Sequence, residues 1–154
     1  MQRVTNCILV VEDRILLIKK PKRGWYAIPG GKMERGETVK EAVVREFWEE
    51  TGLRIETCAL KGVFTFVVSD KMQSEQEWMM FTFVSNTYNG VLAEHCNEGE
   101  LEWVPVDAIK TLPMAEGDRK IFEHVLTTDT MLFGSFYYTV DYELQGMRLD
   151  PSRQ

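Results

Sequence analysis

GKMERGETVKEAVVREFWEETGL, Gly31 to Leu53, reads as a loop running into one amphipathic helix. Thr38 and Glu41 form a capping box, each side chain taking up a backbone N–H of the first turn. Gly52 is placed to end the helix in a left-handed turn. At about 100° per residue from Val39, Val43 falls at about 40°, Phe47 at about 80° and Ala42 at about 300°, which defines an apolar arc. Glu50 at about 20°, Glu46 at about 340° and Glu49 at about 280° share that arc. Acids normally lie opposite the apolar stripe. Like charges four residues apart, as Glu46 and Glu50 are, cost a bare helix roughly a few tenths of a kcal/mol, and partial burial adds to that. Relief within the helix is limited: Arg45 stands four residues before Glu49, Glu46 has Ala42 at that spacing, and Glu50 has only Arg54, beyond Gly52. Two resolutions stand. A divalent metal accounts for the acids, because hard cations take carboxylate oxygens and Mg²⁺ is usually held by few carboxylates together with substrate phosphates. Alternatively the acids form a solvated face, with Val44 and Trp48 on the core side. The preceding loop favours the first: Gly30-Gly31 lets backbone approach a ligand or ion, and a Glu37–Arg45 fork would fix loop against helix.

Outward from this segment, Val4–Val11 and Arg14–Ile18 read as a strand hairpin turned at Glu12-Asp13. Pro21 to Gly31, with two prolines and three glycines, reads as a loop. Leu60–Val68, Glu77–Val84 and Leu101–Val106 read as strands, and Asn89-Gly90 as a turn. Asp107–Leu112 and Asp118–Leu126 read as helices, the second with Ile121, Phe122, Val125 and Leu126 on one face. Leu132–Val140 and Tyr142–Leu149 suggest a closing hairpin. Strands outnumber helices in mixed order, which is α+β, in one domain over residues 1–154.

Lys plus Arg is 18 and Asp plus Glu is 24, a formal net charge of −6 over 154 residues. That balance argues against gripping duplex DNA through its phosphates; a phosphate-handling chain this acidic needs cations. No signal peptide is evident and no apolar run approaches the roughly 20 residues of a spanning helix, so a cytoplasmic protein without membrane contact is expected. Cys7, Cys58 and Cys96 are dispersed and odd in number, in keeping with reduced thiols. His95 and His124 lack the clustering of a metal site.

As a pattern the decisive segment is G-x5-E-x7-R-E-U-x-E-E-x-G-U, with U bulky and apolar, matched at Gly31, Glu37, Arg45, Glu46, Phe47, Glu49, Glu50, Gly52 and Leu53. It resembles the signature of the Nudix hydrolases. The resemblance implies a mixed β-sheet sandwiched between helices, and Mg²⁺- or Mn²⁺-dependent hydrolysis of a nucleoside diphosphate linked to another group. By position it makes Glu46, Glu49 and Glu50 metal ligands, with the Gly31 carbonyl adding another, and has Glu37 and Arg45 orient the site. Asn97 to Pro105, Glu116-Gly117-Asp118 and Phe133 to Tyr138 are similar to the oxidised-purine triphosphatase, or MutT-like, branch. There an acid placed like Glu98 reaches the metals from a loop, and one placed like Asp118 contacts the purine edge. Most aromatics outside the signature, Trp103 included, read as core.

The chain departs from the mammalian-type oxidised-purine enzymes where Tyr26, not Asn, follows Trp25, where Gly117-Asp118 replaces an acidic pair, and where Ala115 or Met114 replaces a Trp. A purine, and guanine in particular, remains the expected base. The absence of Pro between Leu53 and Val104 argues against the ADP-ribose branch. The expected reaction is phosphoanhydride hydrolysis of a guanine nucleotide such as 8-oxo-dGTP or dGTP, with Glu46 the first choice of base and Glu98 the second. Trp25, Tyr26 and Phe66 are stacking candidates, Phe66 reading more readily as core. Lys32 and Asp118 complete the substrate-binding set. Rival readings are hydrolysis of guanosine alarmones such as (p)ppGpp or of RNA 5′-triphosphates, and a non-catalytic nucleotide sensor, which the intact carboxylates disfavour. A homo-oligomer stays open, with Trp48 as interface or core.

Overall fold

The two apolar runs that open the chain form a hairpin, β1 (Gln2–Val11) and β2 (Arg14–Lys19), turned at Glu12 and Asp13, both at positive φ. Such a turn matches the twist of the strands it joins. The computed structural model describes residues 1–70 and 75–152. After β2 come β3 (Tyr26–Ala27), β4 (Gly30–Lys32), α1 (Val39–Thr51), β5 (Leu53–Ile55), β6 (Ala59–Ser69), β7 (Glu75–Ser85), β8 (Tyr88–Gly90) and β9 (Glu100–Pro105). A 3₁₀ turn (Val106–Lys110), α2 (Glu116–Val125), β10 (Leu132–Thr139) and β11 (Leu144–Asp150) complete the chain.

One mixed sheet runs β11-β10-β6-β7-β1-β2-β3, with β4 also paired to β1 and β9 to β2. The β1–β7 and β6–β10 pairs are parallel and the other pairs antiparallel. Alternation along the strands sends apolar side chains to both faces. Cys7 and Leu9 of β1, Leu16 of β2 and Phe83 of β7 meet Val43 and Phe47 of α1. Ile8, Ile15 and Leu17 belong to the opposite core, with Phe64, Leu132, Phe136 and the α2 residues Ile121 and Phe122. The sheet therefore lies between the two helices, as expected, and the strands after α2 extend the sheet that begins at β1. No helix among the described residues is long and apolar enough to cross a membrane.

The capping box at Thr38 and Glu41 and the left-handed Gly52 cap are both formed. Ala42, Val43, Phe47 and Thr51 are buried while Trp48 is 48% exposed, which settles the core face of α1 on the side of the acids' arc. Three local expectations are corrected. Asn89-Gly90 is no turn but the end of β8, paired with β5. Gly90, at φ 101°, is required because a Cβ there would lie 2.9 Å from the carbonyl of the cap Gly52. The Pro21–Gly31 loop contains β3 and the start of β4, and α2 begins at Glu116, two residues earlier than read.

Candidate active site

The strand β4 and the helix α1 meet through their glycines and carboxylates. A side chain at Gly30 would run into Thr5 and Asn6 of β1, and a Cβ at Gly31 would strike the Glu46 carboxylate. Two residues without side chains thus let α1 lie directly on a strand, and they bring the Gly30 N–H to Glu50 Oε1 at 2.6 Å.

Arg45 organises the rest. Its Nε and a terminal nitrogen donate to the two oxygens of Glu37 at 2.7 and 2.9 Å, and the same terminal nitrogen donates to the Lys32 carbonyl at 3.1 Å. The other terminal nitrogen donates to Glu46 Oε1 at 2.9 Å and to Glu49 Oε2 at 3.2 Å. Consecutive helix residues normally diverge; here Arg45 and Glu46 both reach β4, so the helix supplies more relief for its acids than spacing alone indicates. The Arg45 bonds, with the Glu34 N–H, hold the Glu37 carboxyl down to about 2. Burial pushes Glu50 up to about 7 against the pull of the Gly30 N–H and Lys20, with Glu98 and Glu46 adding repulsion.

Glu98, from the loop before β9, joins the same cleft and accepts from Lys20 Nζ at 3.2 Å. The cleft, of about 760 Å³, is lined by Gly30, Gly31, Lys32, Glu46, Glu49, Glu50 and Glu98, together with Lys20 and Tyr142. Each of the four carboxylates has one oxygen held by a donor: Glu46 and Glu49 by Arg45, Glu50 by the Gly30 N–H, Glu98 by Lys20. Among the described residues the second oxygen of each accepts no hydrogen bond. No three acids, histidines or cysteines among those residues are already gathered at ion-holding separation.

A second pocket of about 340 Å³ adjoins the cleft and shares Lys20 and Tyr142 with it. Lys22, Arg23, Trp25, Tyr26, Ala115 and Asp118 line it. Asp118 keeps partial side-chain exposure, yet protein crowding around its carboxyl raises it to about 7. The Tyr26 phenol donates to Glu102 Oε2 at 2.9 Å, and that bond raises its pKa.

The NUDIX domain model matches residues 1–125. The chain belongs to the Nudix hydrolase family. It is 49% identical over 151 residues to the uncharacterized Nudix hydrolase YvcI of Bacillus subtilis, covering 98% of this chain and 96% of that one. Its fold is that of the crystal structure of a MutT protein from Bacillus halodurans, with 50% identity, a TM-score of 0.95 and coverage of 99% and 100% of the two chains. The human 8-oxo-dGDP phosphatase NUDT18 is 33% identical over 117 residues, 70% of this chain and 33% of that longer protein.

In this Nudix hydrolase all four acids, Gly31, Lys32 and the Arg45–Glu37 fork line or brace one cleft, while Trp25, Tyr26 and Asp118 sit together in the pocket beside it. Phe66 is core, stacked between Trp78 and Phe136, and takes no part in either cavity. Trp103 packs among the residues around Phe47, and His124 is buried and bonded to Thr130 and Thr128 at the end of α2. Sequence reasoning missed Lys20, Tyr142 and the Gly30 N–H. Lys20 follows a buried strand and Tyr142 sits in a hairpin turn, so neither periodicity nor motif marks them.

Proposed function

We propose that this Nudix hydrolase, read as one unit over residues 1–154, cleaves a phosphoanhydride bond of a nucleoside polyphosphate whose base is guanine. The observation that carries the reading is the junction at Lys20 and Tyr142: a carboxylate cleft and an aromatic pocket with one acid meet there, as phosphates and base meet in a nucleotide. The donor set fits a hard divalent cation, since its free groups are carboxylate oxygens and Glu50 is crowded by like charge. Glu46, Glu49, Glu50 and Glu98, with the Gly31 carbonyl, would hold Mg²⁺ or Mn²⁺, which when bound offsets phosphate charge and acidifies water.

The chain's own groups do the rest. Arg45 fixes Glu46 through Oε1, leaving Oε2 over Gly31 to take the proton of the attacking water. Glu98 is the second choice for that proton, and Lys20 steadies it. Lys32 and Lys20 face the phosphates from the cleft wall and favour the charge that builds on the leaving phosphate. Trp25 offers a stacking face, and ionised Asp118 accepts from the N1–H and N2–H₂ edge of guanine. Tyr26 supplies wall rather than readout, because its hydroxyl is committed to Glu102. With no amide at that position, preference for 8-oxo-dGTP over dGTP stays below about a hundredfold, or about 2.7 kcal/mol.

A second reading, a guanosine carrying further phosphates such as (p)ppGpp, is favoured by one observation. Lys22 lines the base pocket with no hydrogen-bond or ion-pair partner among the described residues, in a chain of net charge −6. The deciding experiment is a kcat/KM panel of 8-oxo-dGTP, dGTP, GTP and ppGpp, with Mg²⁺, with Mn²⁺ and with chelator, and with products identified. Full turnover in chelator removes the cation from the account. Binding without hydrolysis of any member makes the protein a sensor.

A further inference from the structure

Opposite Ala115 and Asp118, the base pocket takes its wall from two segments far apart in sequence. One is the loop between β2 and β3, closed by the Lys20 N–H bonding to the Trp25 carbonyl at 2.7 Å. The other is the turn between β10 and β11, closed by Tyr142 N–H to Thr139 O at 2.9 Å and Thr139 N–H to Glu143 O at 3.0 Å. Arg23 joins them. Its guanidinium carbon lies 5.1 Å from the centroid of the Trp25 ring and 5.7 Å from that of Tyr142. A terminal nitrogen donates to the Asp141 carbonyl at 2.6 Å. Among the described residues Arg23 makes no carboxylate pair, and its charge is spent on two ring faces and one carbonyl. Arg23 and Tyr142 both hold positive φ, 71° and 60°, a backbone region that side chains with a Cβ rarely adopt. The partners thus meet in conformations that neither segment favours alone.

We propose that Arg23 is a positioning residue of the base pocket: its guanidinium clamps the Trp25 loop to the Tyr142 turn and so holds both rings as a fixed wall for the nucleobase. This rests on the nucleotide reading above and extends it to a residue outside the signature. A planar guanidinium serves two rings and a carbonyl at once; an ammonium is a point charge and does not. Arg23 touches none of the four cleft carboxylates, so its loss acts on base binding rather than on bond cleavage.

The test pairs kinetics with hydrogen exchange on the full-length protein. Arg23→Ala raises KM for dGTP about tenfold with kcat within about twofold, and Arg23→Lys recovers little of that loss. In the same Arg23→Ala protein, exchange at the Lys20 and Tyr142 amides speeds up together by about tenfold. An unchanged KM, full recovery by lysine, or faster exchange confined to the Lys20 side overturns the clamp. If the wild-type protein hydrolyses no member of the nucleotide panel, the functional reading and the kinetic part of the clamp both fall, whereas coupled exchange alone tells whether the two segments are tied by Arg23.

Discussion

Replacing Glu50 by Gln separates what this carboxylate does for activity from what it does to the fold. In the metal-free protein, burial and the neighbouring Glu98 and Glu46 lift it from 4.5 to about 7. The folded state therefore binds a proton that the unfolded chain has released, and ionised Glu50 opposes folding. The stability it withholds grows as pH rises from about 4.5 to about 7 and is constant above. At 1.36 kcal/mol per unit the ceiling is about 3 kcal/mol, and solvent screening at a side chain that is not fully buried brings it to about 2 kcal/mol. A glutamine imitates the protonated acid, and its amide oxygen can still accept from the Gly30 N–H. In chelator at pH 8, Glu50→Gln raises Tm by about 4–8 °C, and most of that gain disappears at pH 5. Added Mg²⁺ then raises the Tm of the wild type more than that of the variant, while the variant's kcat falls about 10²–10⁴-fold. Thermal denaturation at the two pH values, with and without chelator, gives all four quantities. A variant that is less stable than wild type at pH 8 in chelator, yet keeps its specific activity, refutes the reasoning: Glu50 would then be a structural acceptor for Gly30 and nothing more.

Gly31→Ala drives a methyl into the Glu46 carboxylate; kcat drops by about tenfold to a hundredfold because a displaced reacting group is costly, and steady-state kinetics beside a melting curve separate this from unfolding. Arg45→Lys keeps a charge but loses the two-bond fork to Glu37 and the shared donor to Glu46 and Glu49; kcat falls about 10–100-fold, and activity within twofold of wild type would sink the organising role. For Asp118, raised to about 7 by burial, guanine binding through its ionised form strengthens from pH 6 to pH 8, and Asp118→Asn flattens that KM profile; an unchanged guanine-over-adenine preference in Asp118→Ala removes it from the base site.

The signature helix was legible because its chemistry is local. Cap, C-terminal glycine and apolar arc all lie within Thr38–Gly52, and each is realised. The hairpin was legible from its two continuous apolar runs, since β1 and β2 bury both faces. The small β5–β8 ladder was not. Its three-residue strands carry too little pattern, and Gly90 is dictated by the approach of Gly52, a partner 38 residues away. The same limit applies to the site. Glu37, Arg45 and the α1 acids stand at fixed spacing, whereas Lys20, Arg23 and Tyr142 come together only when β10 and β11 extend the sheet.

The pairing of the acids explains how a chain of net charge −6 keeps four carboxylates in one cleft lined, among the described residues, by two cations, Lys20 and Lys32. Concentrating fixed positive charge there would quench the acids and leave no lone pairs for a ligand. Each carboxylate is instead steadied through one oxygen, by a guanidinium, a backbone N–H or an ammonium, and among the described residues the other oxygen has no donor. Arg45 can serve two acids while bound to Glu37 because its five donors are spread in a plane; a lysine has neither the number nor the spread. Glu50 accepts from the Gly30 N–H at 2.6 Å and feels Lys20 only through space, and of the four it is the acid that burial disfavours most. A cation bound in that cleft would therefore recover at Glu50 the most of what burial of the four acids costs.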